Sequence, residues 1–246
     1  MRTAVLVLVM CCLLTALTRT IRPIASQSIE FQFQEAPAGH HRTMASAVIQ
    51  ALRDNNISTV VFDIDYTATR VHSQGICLND LDPEAVEEYE RVAHRLPFIP
   101  GRVSAWLDSI SPDFVELVPQ LVHEGFNVAI ATFGDDDYNK DLLMRHWSIC
   151  GMKMLNTLFS RHLPADVVEQ LYVVAFAPFL HGSNAMNKNY HLDKIMAHFD
   201  VSSRGSVILI DDSMPNITNA QANGFRAHFV DNSVAFTMAP FLAALR

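Results

Sequence analysis

Short apolar runs recur along the chain, and several of them stop at a polar or acidic residue. The first is "STVVFD", residues 58–63, where Val60, Val61 and Phe62 have the β-branched and aromatic character of a strand covered on both faces. "NVAIAT" (127–132), "LYVVAFA" (171–177), "SVILI" (206–210) and "RAHFV" (226–230) repeat the pattern. Between the runs the apolar spacing turns helical. "RTMASAVIQALR" (42–53) is one such stretch, and "KNYHLDKIMAHF" (188–199) sets Leu192, Ile195, Met196 and Phe199 on one side. Ser111-Pro112 starts a helix that Gly125 ends after His123, and Asp82-Pro83 starts another over 82–96. Further helices are predicted over 136–147 and at the C-terminus. Strands alternating with helices predict an α/β fold, a Rossmann-like doubly wound parallel sheet.

Ligands of such sheets bind outside the carboxyl ends of the strands. Polar residues gather at those ends: Asp63 and Asp65 after the first strand, Thr132 at the end of the second, Asp211 and Asp212 after the fourth. Carboxylates at i and i+2 of a strand point to the same side. Their repulsion needs a cation, a shared proton or full solvation to offset it. A strand ending in a solvated acidic turn would explain Asp63 and Asp65 alone. It does not explain polar tips on three strands.

Composition narrows the class. A chain of 246 residues, 50% of them apolar, suits one α/β domain with a substantial core. The net charge of -8 and pI near 5.7 exclude broad sequence-independent nucleic-acid binding, so no nucleic-acid partner is expected. "AVLVLVMCCLLTAL" (4–17) carries no charge, is short for a bilayer span and fits the centre of a secretory signal peptide, with small residues at Ala16 and Thr18. The expected organisation is a signal peptide and linker over 1–26, a single domain over 27–246, and residence in the secretory pathway or outside the cell without stable membrane insertion. An uncleaved anchor is one alternative. A mitochondrial presequence is another, since Arg2, Arg19 and Arg22 precede the first acid, Glu30. Loss of the segment leaves Cys77 and Cys150, enough for one disulfide, and no Cys/His cluster suited to zinc. His191 and His198, on one helix face, fit packing better than ligation.

"FDIDYTAT" (62–69), "VAIAT" (128–132), Lys188 and "ILIDDS" (208–213) resemble, in this order, the four motifs of the haloacid dehalogenase (HAD) superfamily of phosphatases and phosphotransferases. The resemblance spans roughly residues 58–232. It implies a HAD-like fold with at most a small helical cap insert. It also implies a magnesium-dependent phosphatase that hydrolyses a phosphate monoester through an aspartyl-phosphate. On that resemblance Asp63 is the nucleophile, and Asp65 protonates the leaving oxygen and later deprotonates water. Members acting as ion pumps or dehalogenases usually lack an acid at the second position. Thr132 would bind a phosphate oxygen, while Lys188 would neutralise it and hold Asp63 ionised. Magnesium, a hard cation suited to oxygen ligands, would meet the Asp63 side chain, the Asp65 backbone carbonyl and Asp212, with Asp211 a less direct partner. Spacing does not choose between Asp211 and Asp212. Lys194 competes with Lys188, but the position of Lys188 at a helix start and its separation from the acidic pair fit the family better.

Tyr66 stands where many relatives carry glycine. Asp135, Asp136 and Asp137 suit a solvated acidic helix start, or a selector of cationic substrates. Receiver domains of response regulators use similar residues, but their acidic pair comes first and their lysine last, the reverse of the order here. The interval between the first two strands has room for a small helical insert around Ser73 to Leu107. The interval from Thr132 to Lys188 has room for little beyond core elements. The implied partner is a phosphorylated small molecule or a phosphoprotein. The alternative function is a protein of the same fold that binds a phosphorylated ligand without turnover. The sequons at Asn56 and Asn216 matter only in an exported chain, and Asn216, close to Asp212, is expected to stay unmodified.

Overall fold

Five parallel strands build the main sheet of the computed structural model, which describes residues 43–73, 77–78, 102–135, 148–149, 151–178 and 187–246. In chain order the described elements are α1 (Met44–Asp54), β1 (Thr59–Phe62), β2 (Cys77–Leu78), α2 (Arg102–Leu107), α3 (Pro112–His123), β3 (Asn127–Thr132), β4 (Ser148–Ile149), α4 (Gly151–His162), α5 (Ala165–Val168), β5 (Tyr172–Ala175), α6 (Asn189–His198), β6 (Val207–Asp211), α7 (Met214–Ala222), β7 (Arg226–Phe229) and α8 (Met238–Leu245). The sheet order is β5-β3-β1-β6-β7, with every neighbouring pair parallel. β2 and β4 form a separate antiparallel pair. The chain winds outward from β1 through β3 to β5, then crosses to the other side of β1 for β6 and β7. That reversal opens a crevice at the carboxyl ends of β1 and β6.

Alternation along the strands divides the core in two. Val60, Phe62, Val128, Ile130, Ile208 and Ile210 face one side, where α1, α3, α4 and α8 supply Leu52, Leu117, Leu158 and Phe241. Val61, Ala129, Ala131 and Leu209 face the other, against Leu192 and Ile195 of α6 and Ala220 of α7. Phe62 is fully buried and meets Phe114 and Phe236 edge-on, at 5.0 and 5.4 Å between centroids. Such pairs add to area burial.

The local signals act as their chemistry requires. Ser111 caps α3 by accepting from the Phe114 amide at 3.2 Å, and its hydroxyl donates to the Phe236 carbonyl at 2.6 Å. Pro112 occupies the first turn, and Gly125 makes the exit with φ +81°. β6 runs one residue further than the apolar run suggests. The Val230 amide donates to the Asp211 carbonyl at 3.0 Å, so Asp211 belongs to the ladder and Asp212 is the first residue beyond it.

α4 and α7 are additions to the sequence expectation. α4 buries Met154, Leu155, Leu158 and Phe159, a helical stripe, in the crossover between β3 and β5. The predicted helices over 82–96 and 136–147, the segment over 1–26, Cys150, and Asp136 and Asp137 lie outside the described residues. The described residues fall within one unit, Arg42–Arg246. Among them no helix is long and apolar enough to cross a membrane.

Candidate active site

Asp63 follows β1 directly, and its amide donates to the Ile210 carbonyl at 2.9 Å, which fixes the carboxylate beside the end of β6. It is 8% exposed. Lys188, the residue before α6, is 1% exposed and sends Nζ to Asp63 Oδ1 at 2.7 Å and to the Ala131 carbonyl at 2.6 Å. The ammonium also lies 4.3 Å from the centre of the Phe133 ring. Lys194, its competitor in the sequence, is exposed on the outside of α6 with its ammonium over Tyr190. It takes no part in the site.

Asp63, Asp211 and Asp212 each bring a carboxylate oxygen into a group within 4.8 Å of one another, the only such set of three among the described residues. Asp211 is fully buried. Its Oδ1 accepts from the Ser213 amide at 2.8 Å, and Asn216 Nδ2 lies 3.0 Å from both of its oxygens. Asp212 is half-buried and, among the described residues, carries no hydrogen bond from another residue's side chain. Burial pushes the Asp211 carboxyl up to about 7, with repulsion from Asp63 adding to it and Lys188 opposing it. Burial raises Asp212 to about 6, again helped by Asp63. Asp63 is raised by burial too, against the pull of Lys188.

A divalent hard cation fits this group. The donors are all oxygen, and three carboxylates against one ammonium leave an excess of two negative charges when ionised. The open carboxylate of Asp212 and the tied one of Asp211 favour Asp212 as the direct ligand and Asp211 as the residue held by Asn216.

Asp65 faces other partners. Its Oδ1 accepts from the Ser73 amide at 2.9 Å and from Trp106 Nε1 at 3.0 Å, and its Oδ2 accepts from the Ser73 hydroxyl at 2.6 Å. His72 Nδ1 stands 3.2 Å from Oδ2. Tyr66 has φ +60°, the left-handed region that favours glycine. A non-glycine residue there costs about 1–2 kcal/mol.

Thr132 ends β3 at 8% exposure, and its Oγ1 accepts from the Gly134 amide at 3.2 Å. That bond occupies a lone pair and leaves the hydroxyl hydrogen available. Asp135 is buried at 4% and accepts from the Ala177 amide at 3.0 Å, so it is a structural tie between the loops after β3 and β5 rather than a solvated helix start. His191 is fully buried with Nε2 3.0 Å from the Thr132 carbonyl and 2.8 Å from that of Phe176. Two acceptors require the hydrogen on Nε2, and Nδ1 has no partner among the described residues. Burial first, then Lys188, lowers the imidazole to about 3. His198 stacks on Tyr172 at 3.6 Å. Both histidines pack.

Sequence patterns point to Asp63, Asp65, Thr132, Lys188, Asp211 and Asp212, and the structure sets all six at the carboxyl edge of the sheet. Ser73, Trp106 and Asn216 are the supporting residues they did not reveal. For Asn216 a signal existed, an amide one helical turn beyond an acidic pair. For Trp106 none did, since it lies 41 positions from Asp65.

Three clustered carboxylates, one of them held by a lysine, at the crevice of a doubly wound sheet, make a candidate cation site on an α/β fold. No family model matches the chain, and no curated protein is similar to it. Solved structures are similar in fold. One is a predicted HAD-like family hydrolase from Porphyromonas gingivalis, 16% identical over 77% of this chain and 97% of that chain, with a TM-score of 0.44. Another is a HAD family enzyme from Bacteroides thetaiotaomicron in complex with magnesium and inorganic phosphate, 12% identical over 70% of this chain and 93% of that one, with a TM-score of 0.40. A phosphoserine phosphohydrolase-like protein from Francisella tularensis is 14% identical over 69% of this chain and 84% of its own, with a TM-score of 0.35.

Proposed function

We propose that this chain is a HAD-like, magnesium-dependent phosphatase that hydrolyses a phosphate monoester through an aspartyl-phosphate on Asp63. The observation that carries this reading is the buried Lys188–Asp63 pair beside Asp211 and Asp212. Asp63 attacks phosphorus in line, and Asp65 protonates the departing oxygen. Asp65 then takes a proton from the water that attacks the acyl-phosphate, which frees Asp63 and inorganic phosphate. Thr132 donates its available hydroxyl hydrogen to a phosphate oxygen, and Lys188 offsets the charge on the equatorial oxygens. Magnesium, when held by Asp63, Asp212 and the Asp65 carbonyl with Asp211 behind them, supplies the remaining neutralisation. The substrate is a phosphorylated small molecule or a phosphoprotein.

The test is a screen of the domain over 27–246 against a panel of phosphate monoesters, with magnesium and with chelator. Magnesium-dependent release of phosphate supports the reading. Its absence on every ester favours the alternative, a phospho-ligand-binding protein without turnover. In Asp65→Asn, turnover should fall by about 10² to 10⁴ while phosphoenzyme accumulates on Asp63, visible by intact mass.

We place the mature domain in the secretory pathway or outside the cell, because of the uncharged run before Leu17. Asn56 is exposed in the turn before β1, whereas Asn216 is 4% exposed and bonded to Asp211. A chain that has traversed the pathway of a glycosylating host should carry one glycan, at Asn56. An unglycosylated protein that keeps Met1 would refute the placement.

A further inference from the structure

We infer that Trp106 is a positioning residue for Asp65, which it holds so that Oδ2, and not Oδ1, exchanges the proton with the substrate. The inference rests on the phosphatase reading above.

The argument begins with what each donor can do. An indole N–H and a backbone amide only donate. Both point at Asp65 Oδ1, from Trp106 at 3.0 Å and Ser73 at 2.9 Å, so that oxygen is held as an acceptor with its lone pairs engaged. A proton placed there would face two hydrogens. Oδ2 has a different environment. The Ser73 hydroxyl, 2.6 Å away, donates to an ionised carboxylate and accepts from a protonated one by turning about its own C–O bond. The remaining neighbour among the described residues, His72, has a side chain 45% exposed, with Nδ1 3.2 Å from Oδ2.

Trp106 is built to hold this position. It is the largest fully buried side chain described, 1% exposed, and its neighbours Val103 and Leu107 lie in the core. The segment after it is tied back to the chain beyond Asp65. Ser109 Oγ donates to the Trp106 carbonyl at 2.7 Å, the Arg70 amide donates to the Ser109 carbonyl at 2.9 Å, and the Ser111 amide donates to the Ala68 carbonyl at 2.8 Å. The indole hydrogen is therefore presented from a fixed frame.

The proton balance follows. In the first half-reaction an Asp63 oxygen bonds phosphorus, the electron pair of the bond from phosphorus to the leaving oxygen passes to that oxygen, and the O–H bond on Asp65 Oδ2 breaks as the leaving oxygen gains its hydrogen. In the second, Oδ2 takes a proton from water, the water oxygen bonds phosphorus, and the bond from phosphorus to Asp63 breaks. Oδ1 keeps both its hydrogen bonds throughout.

Trp106→Phe removes the indole N–H and retains most of the packing. Phosphorylation of the enzyme by an alkyl phosphate, whose leaving group needs a proton, should slow by about tenfold to a hundredfold. Phosphorylation by a strongly activated aryl phosphate should be nearly unchanged, as should the initial binding of both esters, all read in single-turnover experiments. An equal loss on both esters, or no loss on either, overturns the inference while leaving the phosphatase reading intact. Absence of turnover by the unaltered domain defeats the reading and the inference together. A second measurement needs no turnover. The chain has two tryptophans, so the Trp106 indole N–H resonance is identified by its disappearance in Trp106→Phe. In Asp65→Ala that resonance should move upfield and exchange faster with water. An unchanged resonance would show that the contact is not made.

Discussion

Lys188 Nζ meets Asp63 Oδ1 at 2.7 Å across 125 positions of sequence, and no other cation among the described residues reaches that carboxylate. The pair is asymmetric in what its loss should do. Lys188→Met strips the ammonium from a group of three carboxylates and should destabilise the metal-free domain by about 3–5 kcal/mol. Asp63→Asn removes one of the mutually repelling charges and should leave the metal-free domain at least as stable at pH 8. Denaturant titration in chelator measures both. Equal destabilisation by the two variants would show that repulsion within the group is not the dominant effect.

Magnesium should stabilise the domain more as pH rises. The folded-state values of Asp211, about 7, and Asp212, about 6, lie above the ordinary 3.8. The folded metal-free protein therefore holds protons that the unfolded chain has released. Stability from this source is present at low pH and is lost as pH rises through about 6 to 7. Magnesium requires the ionised carboxylates. The difference in Tm between magnesium and chelator should grow from pH 5 to pH 8 and level off above. Taking the difference cancels groups that do not meet the metal. A difference that shrinks over this range would contradict the assignment.

Asn216 should matter for metal affinity rather than for folding alone. Its amide lies 3.0 Å from both Asp211 oxygens and so sets the carboxylate plane. Asn216→Ala should weaken magnesium binding by about 10- to 100-fold, measured by calorimetry on the metal-free domain. Unchanged affinity would place Asp211 outside the metal's support.

His191 should make the domain acid-labile. Its imidazole is held down at about 3, against 6.5 for the free side chain, so the unfolded chain takes up a proton first as pH falls. Stability present above about pH 6.5 is lost progressively below it, and His228, lowered by burial, acts in the same direction. His191→Phe removes the donor to the Thr132 and Phe176 carbonyls and should cost about 1–3 kcal/mol at neutral pH. It should also flatten the acid limb of the stability curve. A limb of unchanged slope would assign the acid response to other groups.

How much of this could be read in advance depended on the range of the signal. α3 was legible residue by residue, because a serine cap, a first-turn proline and a glycine exit act within a few positions. The five polar residues at strand tips, Asp63, Asp65, Thr132, Asp211 and Asp212, were legible because a buried apolar run makes each polar terminus conspicuous, whereas Lys188, at a helix start, stood out only through the resemblance. The choice between Asp211 and Asp212 was not, since the end of β6 is set by its ladder with β7 and not by its own composition. α7, "MPNITNAQA", has no apolar stripe, and only Ile217 and Ala220 of its hydrophobic residues are buried. Trp106 and Ser73 were invisible as partners of Asp65, because a hydrogen bond across a folded path leaves no periodicity in the chain.

The supports of the two ends of the site run through different parts of the chain. His191 and Asp135 bind the tips of β3 and β5 to each other, whereas Asp65 is braced from residues between β1 and β3. A substitution at Ser73 or Trp106 would therefore disturb Asp65 while leaving the tie between β3 and β5, and with it the seat of Lys188, in place.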